Sequence, residues 1–350
     1  MASTFQFSKA VLAWFNKSGR KHLPWQQDIT AYRVWLSEIM LQQTQVNTVI
    51  PYFEKFVAKF PDIHALAAAK QDDVLALWTG LGYYSRARNL HRTAQILNND
   101  YHGIFPDDVE TLSSLPGIGR STAAAIISIA YQKRAAILDG NVKRVLARFH
   151  AIDGWPSETA VAKKLWQHAE EHTPKNRCGD YTQAMMDLGA TVCTRTKPRC
   201  AHCPLQKQCI AYKEDAVALY PGKKIKKTLP IKSVNMLMIR NKKGEVLLQQ
   251  RAPTGLWGWL WCLPESASLK NAESMCQTLC GQEPSTTKIW SSWRHSFSHF
   301  HLDITPILLN VNTKSSSVTE ENLRWLHPSQ VETLGVPAPT ARLLAQLAAC

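Results

Sequence analysis

Four cysteines lie within seventeen residues of this sequence, in the stretch CTRTKPRCAHCPLQKQC, with the spacing C-x6-C-x2-C-x5-C. They are Cys193, Cys200, Cys203 and Cys209. The same stretch carries four basic residues and two prolines, so it predicts a tight basic loop rather than an element with a buried face. Since apolar burial cannot order such a loop, the thiols are the groups available to hold it.

Three chemistries use four thiols at such a spacing. The chain opens MASTFQFSKAVLAWF, without the features of a secretory signal, so we expect a cytoplasmic protein in which disulfides are disfavoured. A structural zinc site usually shows two close ligand pairs, whereas only Cys200 and Cys203 form one here. Four cysteine thiolates are the usual ligands of a [4Fe-4S] cluster, which we favour over zinc.

Two carboxyl groups occupy positions that suit acid-base chemistry. Glu38 falls in the predicted helix AYRVWLSEIMLQQTQV, where Val34 and Leu41 place it on an apolar face, and burial there would favour its protonated form. Asp139 directly precedes the predicted helix GNVKRVLARF, where a capping carboxylate stays ionised beside amide donors. An exposed edge position and a simple cap are the plainer alternatives. Together the two side chains form the acid and carboxylate that glycosidic-bond hydrolysis needs.

A glycine-rich turn precedes the second of these sites. LPGIG, with Gly117 and Gly119, leads into the predicted helix RSTAAAIISIAY, so backbone amides at its start could face a phosphate. An ordinary helix-turn-helix connection is the alternative. Asn141 and Lys143 add polar and cationic groups close to Asp139.

Composition and charge limit the class of protein. The chain has 350 residues, a hydrophobic content of 45% and a formal net charge of +14. No apolar run reaches the roughly 18 residues that cross a bilayer, and the positive charge favours a polyanionic partner such as nucleic acid. We expect a monomer that is not bound to a membrane.

The predicted secondary structure changes from helices to strands near residue 230. Helical periodicity runs from residue 8 to about 190, whereas strand-like segments follow at 233–240, 245–251 and 300–311. Two further helices are predicted in the second part, at 271–280 and 339–349. We therefore predict a helical region over 1–212, a basic linker over 213–230 and a smaller α/β domain over 231–350.

Several motifs resemble the helix-hairpin-helix DNA glycosylases with an iron-sulfur cluster and, among them, the adenine DNA glycosylases of the MutY type. They are LPWQ, WLSEIMLQQTQV, GLGYYSRARNL, LPGIGRSTAAAI, LDGNVKRVLAR, QAMMDLGA and the cysteine loop. The match is specific across 20–210 and looser across 230–350, where RHSFSHFHLDI supports it. The resemblance implies an all-α helix-hairpin-helix region with a [4Fe-4S] loop at 193–209, followed by an α/β Nudix-like domain.

The resemblance also implies an activity, the removal of adenine opposite 8-oxoguanine or guanine from double-stranded DNA after the base leaves the stack. Glu38 would protonate adenine N7, and Asp139 would stabilise the sugar cation, with Asn141 near the sugar. Other residues are implied by position only: Gln42, Gln43 and Tyr83 in the duplex, and Trp25 and Gln183 in the base pocket.

Ser121 distinguishes two kinds of relative. Endonuclease III-like enzymes carry a lysine at the matching position, whose amine attacks the sugar and permits strand cleavage. A serine forms no Schiff base, so we expect base removal without efficient lyase activity. The alternatives are an endonuclease III-like lyase for oxidised pyrimidines, a non-catalytic DNA-binding module and a nucleotide pyrophosphohydrolase.

The second domain resembles a Nudix fold in GLWGWLWCLPE but lacks the acidic helix that binds Mg²⁺. From Gly255 to Gly281 the only acidic residues are Glu265 and Glu273. The resemblance therefore implies recognition of 8-oxoguanine rather than chemistry. The residues matching the contacting loop are Phe297, Ser298 and His299.

Overall fold

The computed structural model describes residues 5–224, 228–313 and 321–349. Backbone contacts divide the chain into two units, one of residues 1–68 and 89–225 and the other of 69–88 and 226–350. Residues 225–227, part of the predicted linker, lie outside the described residues. The grouping of 69–88 with the second unit was not anticipated, and the predicted boundaries at 212 and 230 stay a prediction.

Helices account for the first part of the chain, as predicted, and two more follow in the second. They are α1 (Phe7–Ser18), α2 (Ala31–Leu41), α3 (Val46–Lys59), α4 (Ile63–Ala67), α5 (Gln71–Trp78), α6 (Ser85–Asp100), α7 (Val109–Ser114), α8 (Arg120–Ala130), α9 (Gly140–Phe149), α10 (Thr159–His172), α11 (Cys178–Thr191), α12 (Ile210–Lys213), α13 (Leu269–Cys280) and α14 (Ala338–Ala348). Helix α5 and the start of α6 belong to the second unit.

The glycine-rich turn joins α7 to α8 as a helical hairpin. Gly117 has φ +78°, and a β-carbon there would lie 2.9 Å from Cβ of Asn89, so both conformation and space require glycine. Gly119 has an ordinary φ of −91°, and a β-carbon there would meet no atom within 4 Å. The fold therefore does not require glycine at 119, and the space beside its backbone is open.

Side-chain caps begin the two helices that carry the predicted carboxyl groups. Thr30 accepts a hydrogen bond from the Arg33 amide at the start of α2. Asp139 accepts one from the Val142 amide at the start of α9, which confirms the predicted cap. The two helices present Glu38 and Asp139 from opposite ends, because Glu38 lies in the last turn of α2.

The cysteine loop follows α11 without regular secondary structure beyond two short 3-10 turns, Cys200–His202 and Gln206–Gln208, as its composition predicted. The described cysteines are all unbridged thiols. Among the helices that the structure describes, none is long and apolar enough to cross a membrane.

The second unit is built on a mixed sheet, which confirms the predicted α/β character. Its strands are β1 (Ile231–Arg240), β2 (Val246–Gln250), β3 (Trp261–Cys262), β4 (Glu265–Ser266), β5 (Thr286–Ile289), β6 (Trp293–Ser296), β7 (His301–Asn310) and β8 (Leu323–Leu326). Strands β1 and β7 pair in parallel over their whole length, from Ile231 opposite His301 to Arg240 opposite Asn310. Helix α13 packs through Ala272 and Cys276 against buried sheet residues.

Segment 69–88 is fastened to this unit by long-range hydrogen bonds. Asp72 accepts bonds from the side chains of Gln250 and Trp261, at 3.1 and 3.3 Å. The Tyr84 hydroxyl donates to the carbonyl of Val336 at 2.9 Å. These bonds link residues 178 to 252 positions apart, which explains why local sequence patterns did not predict the grouping.

Candidate active site

A cavity of about 820 Å³ in the first unit collects many of the predicted site residues. It lies where the end of α2, the start of α9 and one face of α11 converge. The predicted residues that line it are Trp25, Glu38, Gln42, Gln43, Ser121, Asp139, Asn141 and Gln183. Residues that are up to 158 positions apart in the chain thus share one pocket.

Glu38 faces this cavity from a helix that is otherwise buried. Its neighbours Trp35 and Leu36 are fully buried, and Leu41 lines the cavity beside it. Burial raises the pKa of Glu38 to about 8, with a smaller contribution from the negative charge of Asp139. Glu38 therefore holds its proton at neutral pH, as the apolar face of the predicted helix indicated.

Asp139 is held by donors on both carboxylate oxygens. Oδ1 accepts from the Val142 amide at 2.8 Å, and Oδ2 accepts from Asn141 Nδ2 at 3.1 Å. Burial nevertheless raises the pKa of Asp139 above its ordinary value, although these hydrogen bonds and the charge of Arg144 oppose the rise. The sequence predicted that the cap keeps this carboxylate ionised. Burial, which the prediction did not include, acts in the opposite direction and raises the pKa.

Ser121 connects the helical hairpin to the segment that carries Asp139. Its hydroxyl accepts a hydrogen bond from the Leu138 amide at 3.0 Å, one residue before Asp139. Ser121 also lines the cavity. The serine therefore helps to fix the segment that leads into α9.

Arg144 links the start of α9 to the elements around it. Its guanidinium donates to Asn141 Oδ1 at 2.8 Å and to the carbonyl of Gly189 on α11 at 2.7 Å. Its Nε donates to the carbonyl of Cys193 at 2.7 Å. Through Asn141, this arginine supports the position of Asp139.

Sequence reasoning missed the ion pair between Arg20 and Asp187, which both line the cavity. Asp187 accepts from the Arg20 amide, Nε and Nη2 at 2.6 to 2.9 Å, and its side chain is only 2% exposed. The motif QAMMDLGA contains Asp187, but its partner lies 167 residues away. The available signal in the sequence was that Asp187 is the one charged residue of this motif.

Three of the remaining predicted residues in the cavity lining are an aromatic residue and two glutamines. Trp25 is buried and packs edge-on against Phe53 with ring centroids 5.5 Å apart, so it is both core and cavity wall. Gln183 accepts a hydrogen bond from Gln26 at 3.2 Å. Gln43 lies on the loop after α2 with a left-handed φ of 58°.

Other predicted site residues lie outside this cavity lining. Gly117 and Gly119 are in the hairpin turn, and Lys143 lies on α9. Tyr83 belongs to the second unit, between α5 and α6, where it is 47% exposed with a φ of 47°.

The four loop cysteines converge on a second, small pocket in the first unit. Burial raises the pKa of Cys203 to about 12 and also raises those of Cys200 and Cys209. Arg148 donates to Cys193 Sγ at 3.4 Å and to the carbonyl of Thr194 at 2.8 Å. Arg148 was not predicted; it supplies a positive charge beside a group of thiols.

The donor set of this pocket is four thiols, with no histidine or carboxylate among the residues that line it. Such a set suits a metal centre with thiolate ligands.

In the second unit, Phe297, Ser298 and His299 form the turn between β6 and β7. The rings of Phe297 and Phe300 stack at 4.4 Å, and the Phe297 amide donates to the Phe300 carbonyl at 2.9 Å. Ser298 and His299 are exposed at its tip. The turn is therefore a stable support for two polar side chains.

The two acidic residues between Gly255 and Gly281 are each bound by another side chain of this unit. Glu265 is ion-paired with Arg251. Glu273, the only acid in α13, accepts a hydrogen bond from Thr287 at 3.3 Å. Neither carboxylate lies beside a second acid on the same helix, which is the arrangement that a Nudix hydrolase uses to bind Mg²⁺.

Comparison with known proteins agrees with this arrangement of two domains. The profile of the HhH-GPD superfamily base excision DNA repair proteins matches residues 36–171, and that of the NUDIX domain matches 235–346. A thermostable thymine-DNA glycosylase has a similar structure, with a TM-score of 0.54 and 29% identity over 59% of this chain and 95% of that one. An endonuclease III solved with DNA shares the fold, with a TM-score of 0.50 and 22% identity over 59% of this chain and 94% of that one.

Whole-chain relatives narrow the class further. The adenine DNA glycosylase of Buchnera aphidicola subsp. Acyrthosiphon pisum is 44% identical over 97% of this chain and 96% of its own length. That of Mus musculus is 34% identical over 93% of this chain and 75% of its own length. The chain belongs to the adenine DNA glycosylase family.

Gly189 allows α11 to approach the start of α9 closely. A β-carbon at Gly189 would lie 2.5 Å from Cβ and 2.9 Å from Cα of Asn141. We expect Gly189→Ala to lower the melting temperature by a few degrees, because overpacking costs about 1–3 kcal/mol and outweighs a helix-propensity gain of at most about 1 kcal/mol. Thermal unfolding measures this. Gly119→Ala is the control, and an equal melting temperature for both variants would contradict the prediction.

Proposed function

We propose that this chain hydrolyses the N-glycosidic bond of adenine paired with 8-oxoguanine or guanine in double-stranded DNA. The observation that carries the proposal is the shared cavity of Glu38 and Asp139, in which the acid with a pKa of about 8 faces a carboxyl group held by two donors. Membership of the adenine DNA glycosylase family supports it.

The reaction divides between the two carboxyl groups. Glu38 gives its proton to N7 of an adenine turned into the cavity, and the bond from N9 to the sugar C1′ breaks with its electron pair leaving on the base. Asp139 stabilises the resulting sugar cation. Water then adds to C1′, and its released proton restores Glu38. Trp25 and Gln183 line the base pocket.

We propose that groups of both units contact DNA. The open space beside Gly119 allows a phosphate to approach the amides at the start of α8. The net charge of +14 attracts the DNA backbone. Gln42, Gln43 and Tyr83 are the residues proposed to enter the duplex, and Lys143 adds a cation near the sugar.

The cysteine loop is proposed to hold a [4Fe-4S] cluster through Cys193, Cys200, Cys203 and Cys209. The four thiols share a pocket that Arg148 borders, and four cysteine thiolates are the usual ligands of such a cluster. When bound, the cluster supplies a structural cross-link and no step of hydrolysis. Purified protein should contain about four iron atoms per chain, measured by metal analysis; a colourless protein with one zinc would overturn the assignment.

The activity itself is tested with three duplexes, containing adenine opposite 8-oxoguanine, adenine opposite thymine, and an oxidised pyrimidine. We expect excision from the first only, with strand breaks that appear after alkali because Ser121 supplies no amine. Electrophoresis with and without alkali measures both. Excision of the pyrimidine with breaks in the absence of alkali would instead support an endonuclease III-like lyase.

Glu38 predicts the pH dependence of excision. Its protonated form is the active one and its pKa is about 8, so kcat/KM should fall as pH rises through about 8. Glu38→Gln should lower single-turnover excision by at least ~10²-fold while mispair binding survives. Glu54→Gln, which alters an exposed glutamate of the same unit, is the control. A wild-type rate in Glu38→Gln would refute the role of the acid.

The turn between β6 and β7 is proposed to read the base opposite adenine. The lesion differs from guanine by an O8 carbonyl and an N7 hydrogen, and the exposed hydroxyl of Ser298 can bond to one of them. Such a contact carries about 1–3 kcal/mol of discrimination, so Ser298→Ala should narrow the preference for 8-oxoguanine over guanine by roughly ten-fold. The ratio of excision rates on the two duplexes measures this, with Ser292→Ala as the control. An unchanged ratio would remove the role of Ser298.

A further inference from the structure

Three histidines of the first unit form a cluster that the glycosylase reaction does not use. His150 follows the last residue of α9, and His168 and His172 lie one turn apart on α10. One ring nitrogen from each lies within 4.8 Å of the others. Among the described residues this is the one group of three or more such side chains with that spacing.

The spacing of the two α10 histidines is itself suited to a metal. Residues at i and i+4 lie one above the other on the same helix face, so their imidazoles can share one ion. His150 then approaches from α9, with its Nε2 2.8 Å from Nε2 of His172. Three imidazoles from two helices therefore meet at one point.

The rings stack on one another and on Phe7, and because an imidazole lone pair lies in its ring plane, the His150 and His168 rings must turn out of their stack to bind one ion together. His150 lies over His168 with centroids 3.7 Å apart, and Phe7 lies over His172 at 4.0 Å, with interplanar angles of 13° in both pairs.

Glu171 orients the third ring. Its Oε2 accepts from His168 Nδ1 at 3.0 Å, while Gln167 donates to its other oxygen at 2.9 Å. The Nδ1 proton is thereby fixed, and Nε2 of His168 is left with a lone pair for a metal. A carboxylate behind a histidine is the usual support of a metal ligand and raises its basicity.

We propose that His150, His168 and His172 bind one divalent transition-metal ion of the kind that prefers imidazole, such as Zn²⁺. Bonds of about 2.0–2.1 Å in a tetrahedron place the nitrogens about 3.3 Å apart, so the two facing Nε2 atoms move apart by about 0.5 Å. Water takes the fourth position. His168 is 27% exposed, which gives the ion access from solvent.

The ion would join the end of α9 to α10. Helix α9 carries Asp139 at its start and Arg148, which contacts the cysteine loop, in its last turn. The site is separate from the four cysteines, whose pocket does not include any of the three histidines. Its occupancy therefore affects the rigidity of the unit rather than the chemistry of the reacting atoms.

The proposal is tested by titrating the full-length, iron-loaded protein with Zn²⁺ in a calorimeter and by measuring its melting temperature. We expect one zinc per chain and a higher melting temperature in the wild type and in His22→Gln, which alters an exposed histidine of the same unit. His168→Gln and His172→Gln should each weaken this binding at least ten-fold and abolish the thermal shift.

Glu171→Gln keeps all three ligands and serves where a histidine variant fails to fold. It should weaken zinc binding by about ten-fold, because the orienting carboxylate is lost. The proposal is overturned if the wild type binds no zinc, or if the His168, His172 and Glu171 variants bind zinc as tightly as the wild type does. None of these readings depends on excision, so they are independent of the proposed activity.

Discussion

The hydrogen bonds of Arg144 are the interaction on which the architecture of the first unit depends. One guanidinium holds the Asn141 side chain, the Gly189 carbonyl and the Cys193 carbonyl, which lie on three separate segments of the chain. Burial lowers the pKa of Arg144, yet its carbonyl and amide partners satisfy the donors that burial would otherwise leave unpaired. Removing it would leave several groups without partners at once, which is costlier than losing one surface contact.

The two carboxyl groups of the cavity differ in their hydrogen bonds and neighbouring charges rather than in their burial. Glu38 and Asp139 have nearly the same intrinsic acidity, and burial raises the pKa of both. Hydrogen bonds and Arg144 oppose that rise for Asp139, whereas Glu38 feels burial and the charge of Asp139 together. The two carboxyl groups therefore have different environments, because one lies at the start of a helix and the other does not.

Much of this organisation could be predicted from local sequence. The cap at Asp139, the helical hairpin around Gly117 and the strands of the second unit follow from patterns a few residues long, and the structure confirms them. What could not be predicted depends on distant partners. Arg20 finds Asp187 across 167 residues, and Tyr84 bonds to Val336 across 252. The net rise in the pKa of Asp139 also depends on burial by the whole fold, which no local motif records.

A chain of hydrogen bonds runs from Asp139 through Asn141 and Arg144 to the Cys193 carbonyl. The position of Asp139 in the cavity therefore depends on whether the cysteine loop is ordered. If that loop loses its order, the Cys193 carbonyl is withdrawn from Arg144, and the support of the carboxylate weakens with it. A protein molecule with a damaged loop would thus lose activity rather than remove bases from intact DNA. For an enzyme that cuts bases out of a genome, inactivity is the safer failure.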